Sequence, residues 1–181
     1  VTEQPVSDLD LKYAYELVWR LEKCLLPLQD DQVAYFEHII SQYINLTSLP
    51  SDNKSNSSFK NILFEQKEYL AEILLSLMRF YREEGNFEKW TCIKDFFDSL
   101  RDNLSSLNLE RLYYEKCLKS LFSFNIKEIS IVLSEWRSNV VLPFWDAKRG
   151  SILAEIGRVD EAKVVLEKAL QSIRTESPLG L

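Results

Sequence analysis

The stretch that decides the fold runs from Pro143 to Arg174 and reads PFWDAKRGSILAEIGRVDEAKVVLEKALQSIR. Its apolar residues recur at helical spacing, and Gly157 interrupts the pattern directly after Ile156. A glycine just past a helix end adopts the left-handed backbone conformation without a steric penalty from a Cβ atom. The stretch therefore predicts one helix, a tight turn at Gly157 and a second helix that packs back on the first.

Two features of this stretch predict how its helices pack. The apolar residues of the second helix share one face and need a covering partner: Ala162, Val165, Leu166, Ala169, Leu170 and Ile173. Gly150 lies in the middle of the first helix, where glycine costs about 1 kcal/mol relative to alanine. We therefore expect the neighbouring helix to approach closely at Gly150.

This arrangement resembles a tetratricopeptide repeat. The family places a small residue about seven positions before the turn glycine and two alanines seven positions apart in the second helix. Gly150, Ala162 and Ala169 occupy those places. The resemblance implies an all-α fold, an irregular right-handed array of antiparallel helix pairs whose inner groove binds a partner.

A second copy of the pattern has its turn at Gly85. Apolar residues from Phe59 to Tyr81 recur at helical spacing before this glycine. Phe87 follows Gly85 by two residues as Val159 follows Gly157, and we expect both apolar side chains to plug their hairpins.

A third copy runs from Glu110 to Trp136 and turns at Asn125 and Ile126. Here Asn125 replaces the glycine, since asparagine also adopts the left-handed conformation. The expected plug residues Phe87, Ile126 and Val159 are 39 and 33 residues apart. Helix pairs repeat about every 34 residues in tetratricopeptide proteins and about every 40 in looser solenoids, so the array is irregular.

Residues 1–47 predict an N-terminal helical hairpin. Ser7 is expected to cap the first helix, Pro27 to end or kink it, and Asp30 to cap the second. A polar loop at 48–58 follows, then three tetratricopeptide-like helix pairs at 59–174 and a tail at 175–181. Because the chain starts without Met and its tail directly follows the best repeat, we interpret it as a fragment of a larger protein.

The composition favours helices and gives no basic footprint. Only 4 glycines and 5 prolines occur in 181 residues, which supports an all-α fold. The net charge is -6, and residues 1–50 carry 8 acids against 3 bases, whereas residues 110–181 carry 10 acids against 11 bases. Nonspecific nucleic-acid binding depends on lysine and arginine, so it is disfavoured, although RNA binding by a helical repeat stays open.

The sequence also indicates a cytoplasmic location. The longest apolar run, from Ile73 to Met78, is interrupted by Ser76 and is far shorter than the ~18 residues of a membrane span. We expect neither a membrane segment nor a secretory leader. Three cysteines far apart fit reduced thiols, each a small buried residue: Cys24, Cys92 and Cys117.

No residue pattern predicts catalysis. His38 is the only histidine and lacks an evident nucleophile or orienting partner, so we interpret it as structural. Glu65, Glu68 and Glu72 share a helix without the histidine or cysteine of a metal site, which favours solvated charge. The glycines form no phosphate loop, and we therefore expect a non-enzymatic fragment without cofactor or metal.

The tetratricopeptide resemblance implies an inner groove lined by the first helix of each pair. The residues at those positions are Arg79, Arg82, Arg111, Tyr114, Lys148, Ser151 and Glu155. Four bases favour an acidic protein segment or a chain terminus as partner, because arginine pairs carboxylates in a bidentate way. Leu75, Leu118 and Ala147 occur where the carboxylate-clamp members carry polar ligands, so this chain departs from the clamp.

The sequence thus predicts a non-catalytic helical-repeat scaffold for protein–protein interaction or self-assembly, with a homo-oligomer possible. An alternative comes from residues 145–170, which are similar to helical regions attached to sirtuin-like NAD-consuming effectors of bacterial phage defence. That resemblance implies a region that senses a phage protein or holds an effector assembly together, with the catalytic domain outside this fragment.

Overall fold

The computed structural model describes residues 7–42, 64–101, 104–136 and 143–176. Within these ranges the regular structure is helical and contains no strand, which confirms the all-α prediction. The helices are α1 (Asp8–Lys23), α2 (Asp30–Ser41), α3 (Phe64–Glu83), α4 (Phe87–Leu100), α5 (Ser106–Phe122), α6 (Ile126–Glu135), α7 (Pro143–Glu155) and α8 (Val159–Glu176).

The chain divides into two compact units, Val1–Asn108 and Leu109–Leu181. Their boundary lies inside α5, and the polar loop predicted at 48–58 lies outside the described residues. Unit 1 contains α1 to α4, and both α1 and α2 pack on α3. The N-terminal hairpin is therefore part of the same body as the α3–α4 pair.

The N-terminal hairpin begins and ends close to the predicted residues. Ser7 caps α1, because its Oγ accepts the Asp10 N–H at 3.3 Å while Asp10 Oδ2 accepts the Ser7 N–H at 2.9 Å. The helix ends at Lys23, earlier than the expected end or kink at Pro27. The expected cap at Asp30 is wrong by one residue, because Asp30 is already helical and Gln29 is the cap.

The same turn closes each of the three following hairpins. A left-handed residue ends the first helix in each: Gly85 (φ 72°), Phe124 (φ 52°) and Gly157 (φ 81°). Its N–H bonds the carbonyl three residues back, and the next N–H bonds the carbonyl five residues back. This pair of bonds is the Schellman motif, which satisfies two carbonyls that the helix end would otherwise leave unpaired. The predicted spacings of 39 and 33 residues hold for these turns.

The assignment of the left-handed position to Asn125 was wrong by one residue. Phe124 takes that conformation, and Asn125 instead caps α6 by accepting the Glu128 N–H at 3.2 Å. Asn86 does the same for α4, accepting the Lys89 N–H at 3.2 Å. The short carboxamide of asparagine reaches the free N–H groups in the first turn of a helix. Asn125 therefore occupies the N-cap position, and the left-handed conformation falls on the residue before it.

The predicted hairpin plugs are also corrected. Ile126 is 58% exposed and Val159 is 63% exposed, while Phe87 is half-buried. Each is the first residue of its helix. Because helical side chains lean toward the N-terminus, a side chain at this place extends past the hairpin rather than between its helices.

The predicted close approach between α7 and α8 is confirmed at Gly150. A Cβ atom there would lie 2.7 Å from Leu166 Cγ and 3.5 Å from the Ala162 carbonyl oxygen. Ala162 and Ala169 are buried, as the small-residue pattern requires. The far end of the predicted apolar face is less covered, because Leu170 and other members are about half exposed.

Each unit has its own apolar core. In unit 1, α3 supplies fully buried side chains along most of its length: Leu70, Ala71, Ile73, Leu74, Leu77 and Met78. In unit 2, residues of α5 to α8 form one cluster: Tyr113, Cys117, Ile129, Val132, Leu133, Trp136, Trp145, Ile152, Leu153 and Ala162. These cores hold the helices that present the surfaces described below.

Two carboxylates tie helices of unit 1 together. Glu37 on α2 accepts hydrogen bonds from the Tyr81 hydroxyl and from Lys89 Nζ, the latter at 2.6 Å. Burial alone would raise the pKa of Glu37, but these hydrogen bonds outweigh burial and leave its pKa below the ordinary value. Burial and the Glu37 contact raise the pKa of Tyr81.

Glu68 is the second carboxylate, and its interpretation as solvated charge was wrong. It is half-buried and accepts bonds from the Ser105 N–H (2.5 Å), Ser105 Oγ (2.7 Å) and Asn108 Nδ2 (2.8 Å). A carboxylate is favourable there because the N-terminus of α5 carries free N–H groups and a partial positive charge. Glu68 therefore fixes the start of α5 to α3.

We expect Gly150→Ala to destabilise unit 2 by about 1–2 kcal/mol, because the new methyl group overlaps Leu166. If helix propensity alone decided the outcome, Gly150→Ala would instead stabilise unit 2 by about 1 kcal/mol. In a Leu166→Ala background the Gly150→Ala cost should vanish. Urea unfolding followed by circular dichroism measures all four variants of this cycle. Stabilisation by Gly150→Ala in the wild-type background would contradict the close contact.

We expect Phe124→Gly to stabilise the fold by about 0.5–1 kcal/mol. The left-handed conformation costs a residue with a Cβ roughly 1–2 kcal/mol, which exceeds the added entropy cost of glycine. Gly157→Ala, at the equivalent turn, should destabilise by a similar amount and is the matched control. Thermal unfolding compares the two, and a lower melting temperature for Phe124→Gly would refute the strain.

We expect Glu37→Gln to lower the free energy of unfolding by about 1–2 kcal/mol at pH 7, since it weakens two hydrogen bonds to a charged acceptor. The folded-state pKa of Glu37 is depressed, so its contribution is present above its unfolded pKa of about 4.3 and is lost as pH falls below that value. Wild type and variant should therefore converge in acid. Glu84→Gln, at an exposed carboxylate, is the control and should differ little from wild type in its free energy of unfolding at pH 7.

Candidate protein-binding surface

The predicted groove residues of unit 1 are engaged within α3. Arg79 is exposed, and its Nε lies 3.0 Å from Glu83 Oε1. Arg82 lies 3.5 Å from the same oxygen and is only 5% exposed. Burial places Arg82 in the packed interior, so we remove it from the candidate surface. Glu83 offsets the charge that Arg79 was expected to offer an acidic partner.

In unit 2 the structure brings two of the predicted residues together. Lys148 Nζ on α7 lies 5.2 Å from the ring centroid of Tyr114 on α5 and 5.3 Å from that of Phe144. Tyr114 also packs edge-on against Trp145, with centroids 6.2 Å apart. A lysine over aromatic faces is attracted by the negative electrostatic potential that the ring quadrupole produces there.

The remaining predicted residues extend the same surface. Ser151 and Glu155 are exposed and follow Lys148 by three and seven positions, which places them on one face of α7. Arg111 is half-buried on α5, three positions before Tyr114. We define the α5–α7 surface by six residues: Arg111, Tyr114, Phe144, Lys148, Ser151 and Glu155.

Sequence reasoning missed Phe144, which is 58% exposed and contacts both Trp145 and Lys148. Its neighbour Trp145 is buried, and adjacent helical positions point in different directions. The signal that could have identified it was its spacing, because Phe144 precedes Lys148 by four residues and Ser151 by seven.

A buried aromatic layer supports this surface. Trp136, 1% exposed, donates its Nε1–H to Glu110 Oε2 at 2.6 Å and stacks on Tyr113 with centroids 6.3 Å apart. Tyr114 contacts the same indole at 6.4 Å. A satisfied indole N–H lets so large a side chain be buried without leaving a polar group unpaired. The surface therefore rests on packed side chains.

The described residues include possible metal ligands and the only histidine. Among them no group of three or more histidine, cysteine, aspartate or glutamate residues could hold a metal ion. His38 is exposed on α2. Of the helices in the described ranges, none is both long enough and apolar enough to cross a membrane.

The three cysteines differ in burial, which corrects the expectation that each is buried. Cys24 is exposed, Cys92 is intermediate and Cys117 is buried in the core of unit 2. Burial raises the pKa of Cys117 to about 12, against a smaller opposing effect of Arg149, and burial also raises the pKa of Cys92. The thiolate, which is the reactive form, is therefore disfavoured at both positions.

We expect thiol labelling at pH 8 to follow this order. Cys24 should react first with Ellman's reagent and Cys92 more slowly. Cys117 should react at least about a hundredfold more slowly than Cys24 until unit 2 unfolds, because it is both inaccessible and protonated. A Cys24→Ser variant identifies the fast phase. Rapid labelling of Cys117 in native buffer would contradict its burial.

Comparison of the chain with protein-family models, with curated proteins and with solved structures gives no match. The resemblances to tetratricopeptide repeats and to regions of antiphage effectors therefore stay predictions.

Proposed function

We propose that the chain is a non-catalytic helical-repeat scaffold that binds a protein partner, or another copy of itself, through the α5–α7 surface. The observation that carries the proposal is the Lys148 ammonium over the rings of Tyr114 and Phe144. In this arrangement a positive charge lies beside the exposed ring of Phe144, and the buried side chains of Trp136 and Trp145 lie beneath the surface. Aromatic anchors next to charged groups are typical of protein-binding hot spots.

The repeated turn supports the scaffold part of the proposal. Three hairpins use the same left-handed end and the same two backbone bonds, at Gly85, Phe124 and Gly157. Stacked helix pairs present extended surfaces built from one helix of each pair. The α5–α7 surface comes from the first helices of two consecutive pairs, as the tetratricopeptide resemblance implies.

An acidic protein segment is the partner that this surface fits best. Lys148 can pair a carboxylate while Phe144 and Tyr114 take up an adjacent apolar side chain. Glu155, near the end of α7, disfavours a second negative charge beside it. We therefore expect a segment with one carboxylate next to an apolar residue.

A site-specific crosslinking experiment tests the proposal in the cells that make the protein. We expect a photoreactive phenylalanine analogue at Phe144 to trap one dominant protein, identified by mass spectrometry. Lys148→Glu should reduce the yield at least about tenfold, because it reverses the charge that the partner contacts. Sedimentation of the purified chain shows whether the trapped protein is a second copy.

Matched controls make this experiment decisive. Val164 on α8 is 67% exposed and lies outside the α5–α7 surface, so the same analogue there should not trap the same protein. Lys163→Glu makes the same charge change at an exposed helix position. Equal trapping at Phe144 and Val164, or an equal effect of Lys163→Glu, would reject the α5–α7 surface as the binding site.

A place for the chain in a larger NAD-consuming antiphage effector is the second candidate. Its basis is the resemblance of residues 145–170, which form parts of α7 and α8. The full reading frame tests it directly, because this candidate requires a nucleotide-binding catalytic domain in the same protein.

A further inference from the structure

Unit 1 carries two neighbouring grooves that the proposed function does not use. Groove A, about 110 Å³, lies between α1, the connection to α2 and the second half of α3. Groove B, about 250 Å³, lies between α2, the end of α3 and the start of α4. Phe80 and Glu84 line both, so one ridge separates the two grooves.

About half of the residues that line groove A are apolar: Val18, Leu21, Leu26, Pro27, Leu28 and Phe80. Leu26 is 55% exposed, and it directly follows Leu25, whose backbone is left-handed. An apolar side chain of a partner that packs on Leu26 would bury its exposed apolar surface, and burial of apolar surface favours binding.

The charges around the grooves are mostly negative. Five carboxylates line them against two cations: Glu22, Asp30, Glu37, Glu83 and Glu84 against Arg79 and Lys89. Both cations are already paired, Arg79 with Glu83 and Lys89 with Glu37.

Two of the groove carboxylates differ from the others in their pairing. Within the described part of the chain, the side chains of Glu84 and Asp30 make neither an ion pair nor a hydrogen bond. Residues 1–50 also contain more acids than bases, so the net charge of this part of the sequence is negative as well. The grooves therefore favour a positively charged occupant.

We propose that the two grooves bind a protein segment that places a lysine or arginine side chain beside a large apolar side chain. The apolar side chain enters groove A against Leu26 and Phe80, and the cation pairs with Glu84 on the ridge. Complementary charge of this kind orients a partner and speeds its association. This partner has the opposite charge to the one proposed for the α5–α7 surface, so either proposal can fail alone.

The dimensions favour side chains over a small molecule. Pockets for drug-sized ligands span roughly 300–1,000 Å³, and both grooves are smaller than that. A metal ion is disfavoured too, because the described carboxylates do not converge into a group that could hold one. Successive side chains of one extended segment could instead occupy neighbouring grooves.

Fluorescence anisotropy with a labelled peptide of alternating leucine and lysine tests the proposal on the whole chain. We expect this peptide to bind in a saturable manner, and versions with glutamate in place of lysine or serine in place of leucine to bind at least about tenfold more weakly. Glu84→Gln and Leu26→Ser should each weaken binding several-fold, and raising the salt concentration should reduce the Glu84 contribution.

Neighbouring residues provide matched controls. Glu88→Gln removes an exposed carboxylate outside both grooves, and Leu25→Ser removes a leucine that is 89% exposed but lines neither groove. Both variants should bind the leucine–lysine peptide like wild type. Absence of binding, equal loss in Glu84→Gln and Glu88→Gln, or undiminished binding of the serine–lysine peptide would each overturn the proposal. Lys148→Glu should leave this binding unchanged, which separates it from the α5–α7 surface.

Discussion

The left-handed end of each first helix is the constraint on which the three hairpins depend. At Gly85, Phe124 and Gly157 one residue with positive φ lets two backbone N–H groups bond back to the preceding turn. The next helix then begins only two residues later. So short a connection favours antiparallel neighbours, whose apolar faces cover one another. In the last hairpin, α7 and α8 approach closely at Gly150, because glycine has no side chain to keep Leu166 of α8 away.

The fold was predictable where the sequence carries a backbone signal. Gly157 marks a turn because few other residues tolerate its conformation, and Gly150 marks a contact because it is costly elsewhere in a helix. Phe124 gives no such signal, since a phenylalanine rarely adopts the left-handed conformation that it has here. The sequence therefore identified the turn between α5 and α6 but assigned its left-handed conformation to Asn125 instead of Phe124.

The candidate surface was less predictable because exposure and pairing depend on neighbours. The tetratricopeptide resemblance implied that Tyr114 and Lys148 line one groove, and Lys148 Nζ lies 5.2 Å from the Tyr114 ring centroid. The sequence could not show that Arg82 is buried or that Arg79 forms an ion pair with Glu83. The two surfaces differ in chemistry. Aromatic rings contact a cation in unit 2, whereas in unit 1 the groove residues Glu84 and Asp30 make no ion pair within the described ranges.

Helix α5 crosses the boundary between the units, and its first residues bond to Glu68 of α3. A cut at the boundary would split a continuous helix, and a cut before α5 would remove the carboxylate that caps it. Recombination during evolution should therefore preserve this junction. The same reasoning guides protein engineering: a shortened version that keeps α5 should also keep α3, because Glu68 accepts the bonds at the start of α5.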